Sequence, residues 1–148
     1  MVAPRLKDPP ILEVVCGFFF PALAGLDPIL VGKYWAEQKE KHGFPNRQLH
    51  GPVVERPGFL VAEGVGPLRS WLVSASEEYV LQIQPDRFYF NWRKREAQYP
   101  HFNDYGETKG VLSQSLAEFD QLGAFARDVL GEAPKPVQLQ LAKTDLLL

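Results

Sequence analysis

A chain of 148 residues has the size of one domain, and with 45% hydrophobic, 12% aromatic and 23% charged residues it can offset the entropy of folding without metal or disulfide support. A formal charge of −2 excludes the broad basic field that non-specific nucleic-acid binding requires. The single cysteine, Cys16, excludes an internal disulfide, and with no signal-peptide-like apolar stretch at the N-terminus the expected compartment is the cytoplasm.

Residues 1–10 hold Pro4, Pro9 and Pro10, which lack amide donors, so an extended lead-in is expected. The run Ile11 to Phe20 is rich in β-branched and aromatic residues and predicts a central or near-central strand, with Leu12, Val14, Cys16, Phe18 and Phe20 on one face. The longest apolar run, Val14 to Leu26, is too short for a membrane span and is broken by Gly17, Pro21 and Gly25. Asp27-Pro28 marks a helix start, because the carboxylate can accept unpaired amides and proline suits the first helical position. That helix is expected to run to about His42, with Leu30, Val31, Tyr34, Trp35 and Gln38 inward and Gly43 as its stop.

Gly and Pro punctuation then divides weak strands around Gln48 to Val54, Phe59 to Gly64 and Pro67 to Ser74. The clearest unit is a hairpin from Tyr79 to Arg93 around the turn pair Pro85-Asp86. Pairing Ile83 with Phe88, Leu81 with Phe90 and Tyr79 with Trp92 sends the rings to the core. The reverse face then gathers Gln82, Gln84, Arg87, Tyr89, Asn91 and Arg93. A second helix is expected over Ser113 to Leu130, capped by Ser113 or Ser115 and stopped by Gly131. Alternating Val137, Leu139 and Leu141 predict a last strand. The fold expected is α+β: an antiparallel-rich sheet of about five or six strands with two helices packed on one face, in the order β-α-β-β-β-β-α-β, as one domain.

Chemistry is sparse along the chain. His42, His50 and His101 lie in separate elements without metal-ligand spacing, and Cys16 falls in a core strand, so neither metal nor cofactor is expected. Glu13 has no partner carboxylate at a spacing suited to acid–base work. The stretch GVGP at 64–67 lacks the helix and lysine of a phosphate loop and reads as a turn. Arg87, Arg93, Lys94 and Arg95 interleaved with Tyr89, Trp92 and Tyr99 suggest a single-stranded RNA platform, but Asp86, Glu96, Asp104 and Glu107 dilute the charge, so nucleic acid is disfavoured. The segment from Asn91 to Phe102 reads either as an interface, since aromatic residues and Arg dominate such surfaces, or as a hairpin end pinned by packing.

Pro9-Pro10-Ile11 followed by Glu13, the pair Tyr34-Trp35, the string from Gln82 to Phe88, Asn91-Trp92-Arg93 and Tyr99-Pro100 together resemble a sporadically distributed bacterial family of uncharacterised proteins, over roughly Pro9 to Leu141. Family members carry a Tyr and an Asn in the strand matching Val137 to Leu141 and extend into a second half. This chain reads VQLQLAKTDLLL there, so the resemblance implies a shortened version whose edge or tail is covered by something else. By association it implies an accessory or regulatory protein, of the kind found in bacterial defence or toxin neutralisation.

The reading is therefore a non-enzymatic, protein-binding domain whose partner is another protein encoded nearby. The expected partner-binding residues are Gln82, Gln84, Arg87, Tyr89, Asn91, Arg93, Tyr99, His101, Phe102, Leu146, Leu147 and Leu148. A competing expectation is a small-ligand or enzymatic domain with a pocket between the sheet and the first helix, holding Glu13, Tyr34 or His101.

Overall fold

A computed structural model describes residues 11–51, 53–56, 59–62, 68–95, 99–104 and 107–145. The apolar, β-branched run at its start forms strand β1 (Ile11–Phe19), and helix α1 (Pro28–His42) follows. The start of α1 is set by Asp27, whose Oδ1 accepts the Leu30 amide at 2.9 Å, and its end by Gly43 at φ 68°. Six described strands separate the helices, against four in the expected element order. They are β2 (Asn46–His50), β3 (Val53–Arg56), β4 (Phe59–Ala62), β5 (Arg69–Val73), β6 (Tyr79–Gln84) and β7 (Arg87–Arg93). The weak segment 48–54 divides because β2 ends just before Gly51 and β3 belongs to a separate ladder with β4. Helix α2 (Val111–Leu130) and strand β8 (Gln138–Asp145) complete the described chain.

The main sheet has six antiparallel strands in the order β2-β5-β6-β7-β1-β8. In the β6–β7 hairpin the Pro85-Asp86 turn sets Ile83 opposite Phe88, Leu81 opposite Phe90 and Tyr79 opposite Trp92. The turn carbonyls are also used: Asp86 O accepts from Phe20 N at 3.0 Å and Pro85 O from Leu23 N at 2.8 Å, tying the hairpin tip to the exit of β1.

Both helices lie on one face of the sheet. There Val14, Cys16, Phe18, Leu72, Leu81, Ile83, Phe88, Phe90 and Trp92 meet Val31 and Tyr34 of α1 and Phe119, Leu122 and Phe125 of α2 in one buried cluster. Phe119 stacks on Phe18 with ring centroids 4.6 Å apart, and Phe125 packs against Tyr34 at 5.1 Å, joining the two helices over the strands. Cys16 is buried, and its surroundings push the thiol pKa up, chiefly through desolvation.

The start of α2 differs from the serine cap expected. Its N-cap is Gly110, without a side-chain bond, and the preceding loop supplies the acceptors. His101 O accepts from Val111 N at 2.8 Å, Phe102 O from Leu112 N at 3.0 Å, and Asp104 Oδ1 from Gly110 N at 2.9 Å. Ser115 is wholly buried and turns its hydroxyl back to Leu112 O at 2.7 Å. At the other end, Gly131 takes φ 82° and its amide bonds Arg127 O.

Candidate functional site

Strand parity places Gln82, Gln84, Arg87, Tyr89, Asn91 and Arg93 together on the face of the sheet opposite the helices. Register adds Glu13, Val15, Gly17 and Phe19 from β1 beside them, and Trp71 from β5 opposite Gln82. No described helix covers this face, as an antiparallel sheet permits.

The polar groups there are stitched to one another. Trp71 Nε1 donates to Gln82 Oε1 at 2.9 Å, and Gln82 Nε2 donates to Gln84 Oε1 at 3.0 Å. Asn91 Nδ2 donates to Glu13 Oε1 at 2.7 Å across the β7–β1 pair, and Arg93 Nε donates to the Glu77 carbonyl at 2.6 Å. Arg87 makes two bonds to the Asp86 carboxylate, at 3.0 and 3.1 Å, and its guanidinium lies 5.1 Å from the Phe19 ring centroid. These contacts to Asp86 come first among the causes that hold the Arg87 guanidinium above its ordinary pKa. Tyr89 meets Phe19 edge-on at 5.8 Å, and its ring lies over Gly17, where an added Cβ would stand 2.8 Å from it. The face is thus a pre-ordered surface of half-buried rings and fixed amides, with little rotamer freedom left to lose on binding.

Gln84 is the exception in this set. It follows the parity but is buried, with its amide oxygen used by Gln82, so it supports the surface from beneath.

Tyr99, His101 and Phe102 do not join that face. Tyr99 is buried with its ring centroid 5.5 Å from that of Trp92, a residue of the helix-covered core, and His101 packs on Tyr99 at 5.2 Å. The segment packs against the core, and its His101 and Phe102 carbonyls accept the first amides of α2. His101 adopts φ 67°, a strained left-handed turn that the loop's bonds to α2 hold in place. Leu146, Leu147 and Leu148 lie outside the described residues.

Burial of Trp92 and Tyr99 also removes two of the three rings of the proposed RNA platform, leaving only Tyr89 beside Arg87 and Arg93. Glu13, Tyr34 and His101 do not converge on one cavity. Glu13 bonds Asn91 on the open face, Tyr34 is in the core under α2, and His101 is in the 99–104 loop. Among the described residues no group of three or more His, Cys, Asp or Glu is placed to hold a metal, and no helix is long and apolar enough to cross a membrane.

Two features escape the sequence reading. Glu118, on α2, is held in an apolar setting that raises its carboxyl pKa to about 7 through desolvation. It borders a water-sized cavity of about 10 Å³ with Tyr34, Trp35, Gln38, Phe44, Leu72 and Leu81. Glu118 Oε2 and the Tyr34 hydroxyl are both buried without a hydrogen-bond partner, and the phenol pKa is pushed up by burial first and by Glu118 second. A carboxyl and a phenol in an apolar pocket can exchange protons with water, but a space this small admits no larger substrate. The second feature is the β2–β5 corner, where His50 packs on Trp71 at 4.0 Å and Arg69 lies 5.9 Å from the same ring. Burial foremost, and the Arg69 charge next, hold the His50 imidazole pKa down. Strand β2 carries no apolar alternation, so nothing in its sequence announces this pairing.

Compared with family models, with curated proteins and with solved structures, the chain matches none.

Proposed function

We propose that this chain is a non-enzymatic binding domain that docks on another protein, one encoded nearby, through the open face of its six-stranded sheet. The observation that carries this reading is the ring pair Phe19 and Tyr89, with Trp71 two strands away on the same face, all half-buried where no described helix lies and bordered by Arg87, Asn91 and Arg93. Aromatic residues and Arg are the types that concentrate binding energy in protein interfaces, and their mutual bonding here lowers the entropy cost of association. Glu13 and Asp86 lie beside Asn91 and Arg87, so the face alternates in charge and suits a protein surface better than a polyphosphate. The resemblance to a sporadically distributed bacterial family of uncharacterised proteins implies, by association alone, a role in regulation or neutralisation of a partner.

The test is affinity capture from the native host by the wild-type protein and by the double variant Tyr89→Ala/Arg93→Ala, identified by mass spectrometry. Both side chains are on the surface layer, so the variant is expected to keep its melting temperature within a few degrees. The reading requires one stoichiometric protein partner retained by the wild type and lost by the variant. A monodisperse wild type that retains none, or equal retention by both proteins, would overturn it.

A further inference from the structure

A groove of about 290 Å³ lies between the first two turns of α1 and the β2–β5 corner, on the helix side of the sheet, and it is also bordered by Gln48 and Trp71, whose side chains bond on the opposite face. Its walls are apolar: Pro28, Val31, Gly32 and Trp35 from the helix, Leu49 and Leu72 from the strands. Two polar side chains stand out in this lining. Ser70, buried to about 6% exposure and opposite Leu49 in the β2–β5 pair, makes no side-chain hydrogen bond among the described residues. Arg47, opposite Leu72, lies with its guanidinium carbon 4.3 Å from the Trp35 ring centroid.

A guanidinium held over an indole keeps its N–H edge available for two parallel bonds to a carboxylate. Arg47 pairs with no carboxylate among the described residues, and it is the one charged residue of the lining. Asp27, which precedes Pro28 of the lining, stands outside it and is engaged by the Leu30 amide. The indole N–H of Trp35 is committed to Phe44 O at 3.0 Å, which fixes the ring that positions Arg47.

We propose that this groove binds a small carboxylate with an apolar body, the carboxylate on Arg47 and Ser70 and the body along Val31, Gly32, Trp35 and Leu72. The volume is at the small end of ligand sites, which suits a medium-chain or single-ring acid. Gly32 gives a clean probe, because a Cβ built there meets nothing within 4 Å and so points into empty groove.

The experiment titrates sodium octanoate, octan-1-ol and octylamine into ¹⁵N-labelled full-length protein and follows the indole N–H signal of Trp35 and the backbone amides of Ser70 and Leu72. Octanoate is expected to move these signals saturably, with the alcohol and the amine about tenfold or more weaker, since each lacks the charge-assisted bonds. Arg47→Met is expected to bring octanoate down to the level of the alcohol. Gly32→Leu, which fills the groove without crossing the core, is expected to abolish binding while the rest of the spectrum stays dispersed. The proposal is overturned if octanoate moves none of these signals, if the alcohol binds as well as the acid, or if octanoate binding survives either substitution unchanged. It also fails if an extended acidic peptide moves these signals and octanoate does not, since the groove would then serve a protein.

Discussion

At the scale of single residues, Trp92 and Glu118 make opposite contributions to stability. Trp92 has no exposed surface, faces Tyr79 and Val14 across its two neighbouring strands, and carries Tyr99 on its ring. Trp92→Ala is expected to cost about 3–5 kcal/mol in chemical denaturation, the range for a large buried aromatic. Glu118 works against the fold at neutral pH. Its pKa is raised in the folded state to about 7, so between the ordinary carboxyl range and that value the folded protein holds a proton that the unfolded chain releases. Stability is therefore fullest at low pH on this account and falls as pH rises through 7. Glu118→Gln is expected to stabilise at pH 8 by on the order of 1–2 kcal/mol, allowing for screening by solvent, and to change little at pH 5. Melting curves of both proteins at the two pH values check the sign, and an equal shift at both would refute the account.

At the scale of elements, what could be read in advance follows the range of the forces involved. The β6–β7 register, the Asp27 and Gly43 ends of α1 and the Gly131 stop of α2 are set by neighbours a few residues away, and each is legible in the sequence. The open-face grouping of Arg87, Tyr89, Asn91 and Arg93 follows from that register alone. Trp71 beneath Gln82, and His50 on Trp71, depend on β5 inserting between β2 and β6, which local periodicity cannot reveal. The loop at 99–104 reads two ways in the sequence because its carbonyls hold the start of α2, and side-chain patterns do not show backbone acceptors. Gly110 reports on that joint: a Cβ there would overlap Phe102 O and the Asn103 backbone. Gly110→Ala is expected to destabilise by about 2 kcal/mol or more, and to speed amide exchange at Val111 and Leu112 first, as seen by hydrogen exchange. Unchanged exchange at those two amides would mean that the loop does not hold the helix start.

At the scale of the whole molecule, the sheet separates two chemistries. One side is covered by α1 and α2 and holds the apolar cluster, the small cavity at Glu118 and the groove at Arg47; the other displays ordered rings and amides. Partner capture is probed at Tyr89 and Arg93 and octanoate binding at Arg47 and Gly32, so the two can succeed or fail separately. Their joint use gives one further expectation: Tyr89→Ala/Arg93→Ala should leave the octanoate titration unchanged, and Gly32→Leu should leave partner retention unchanged, both read in the assays already named.

Strand β1 lies between β7 and β8, so the earliest described strand receives one of its two neighbours last. Until β8 is made, one edge of β1 has no described strand to pair with, and an unpaired strand edge in an unfinished chain favours association with other chains.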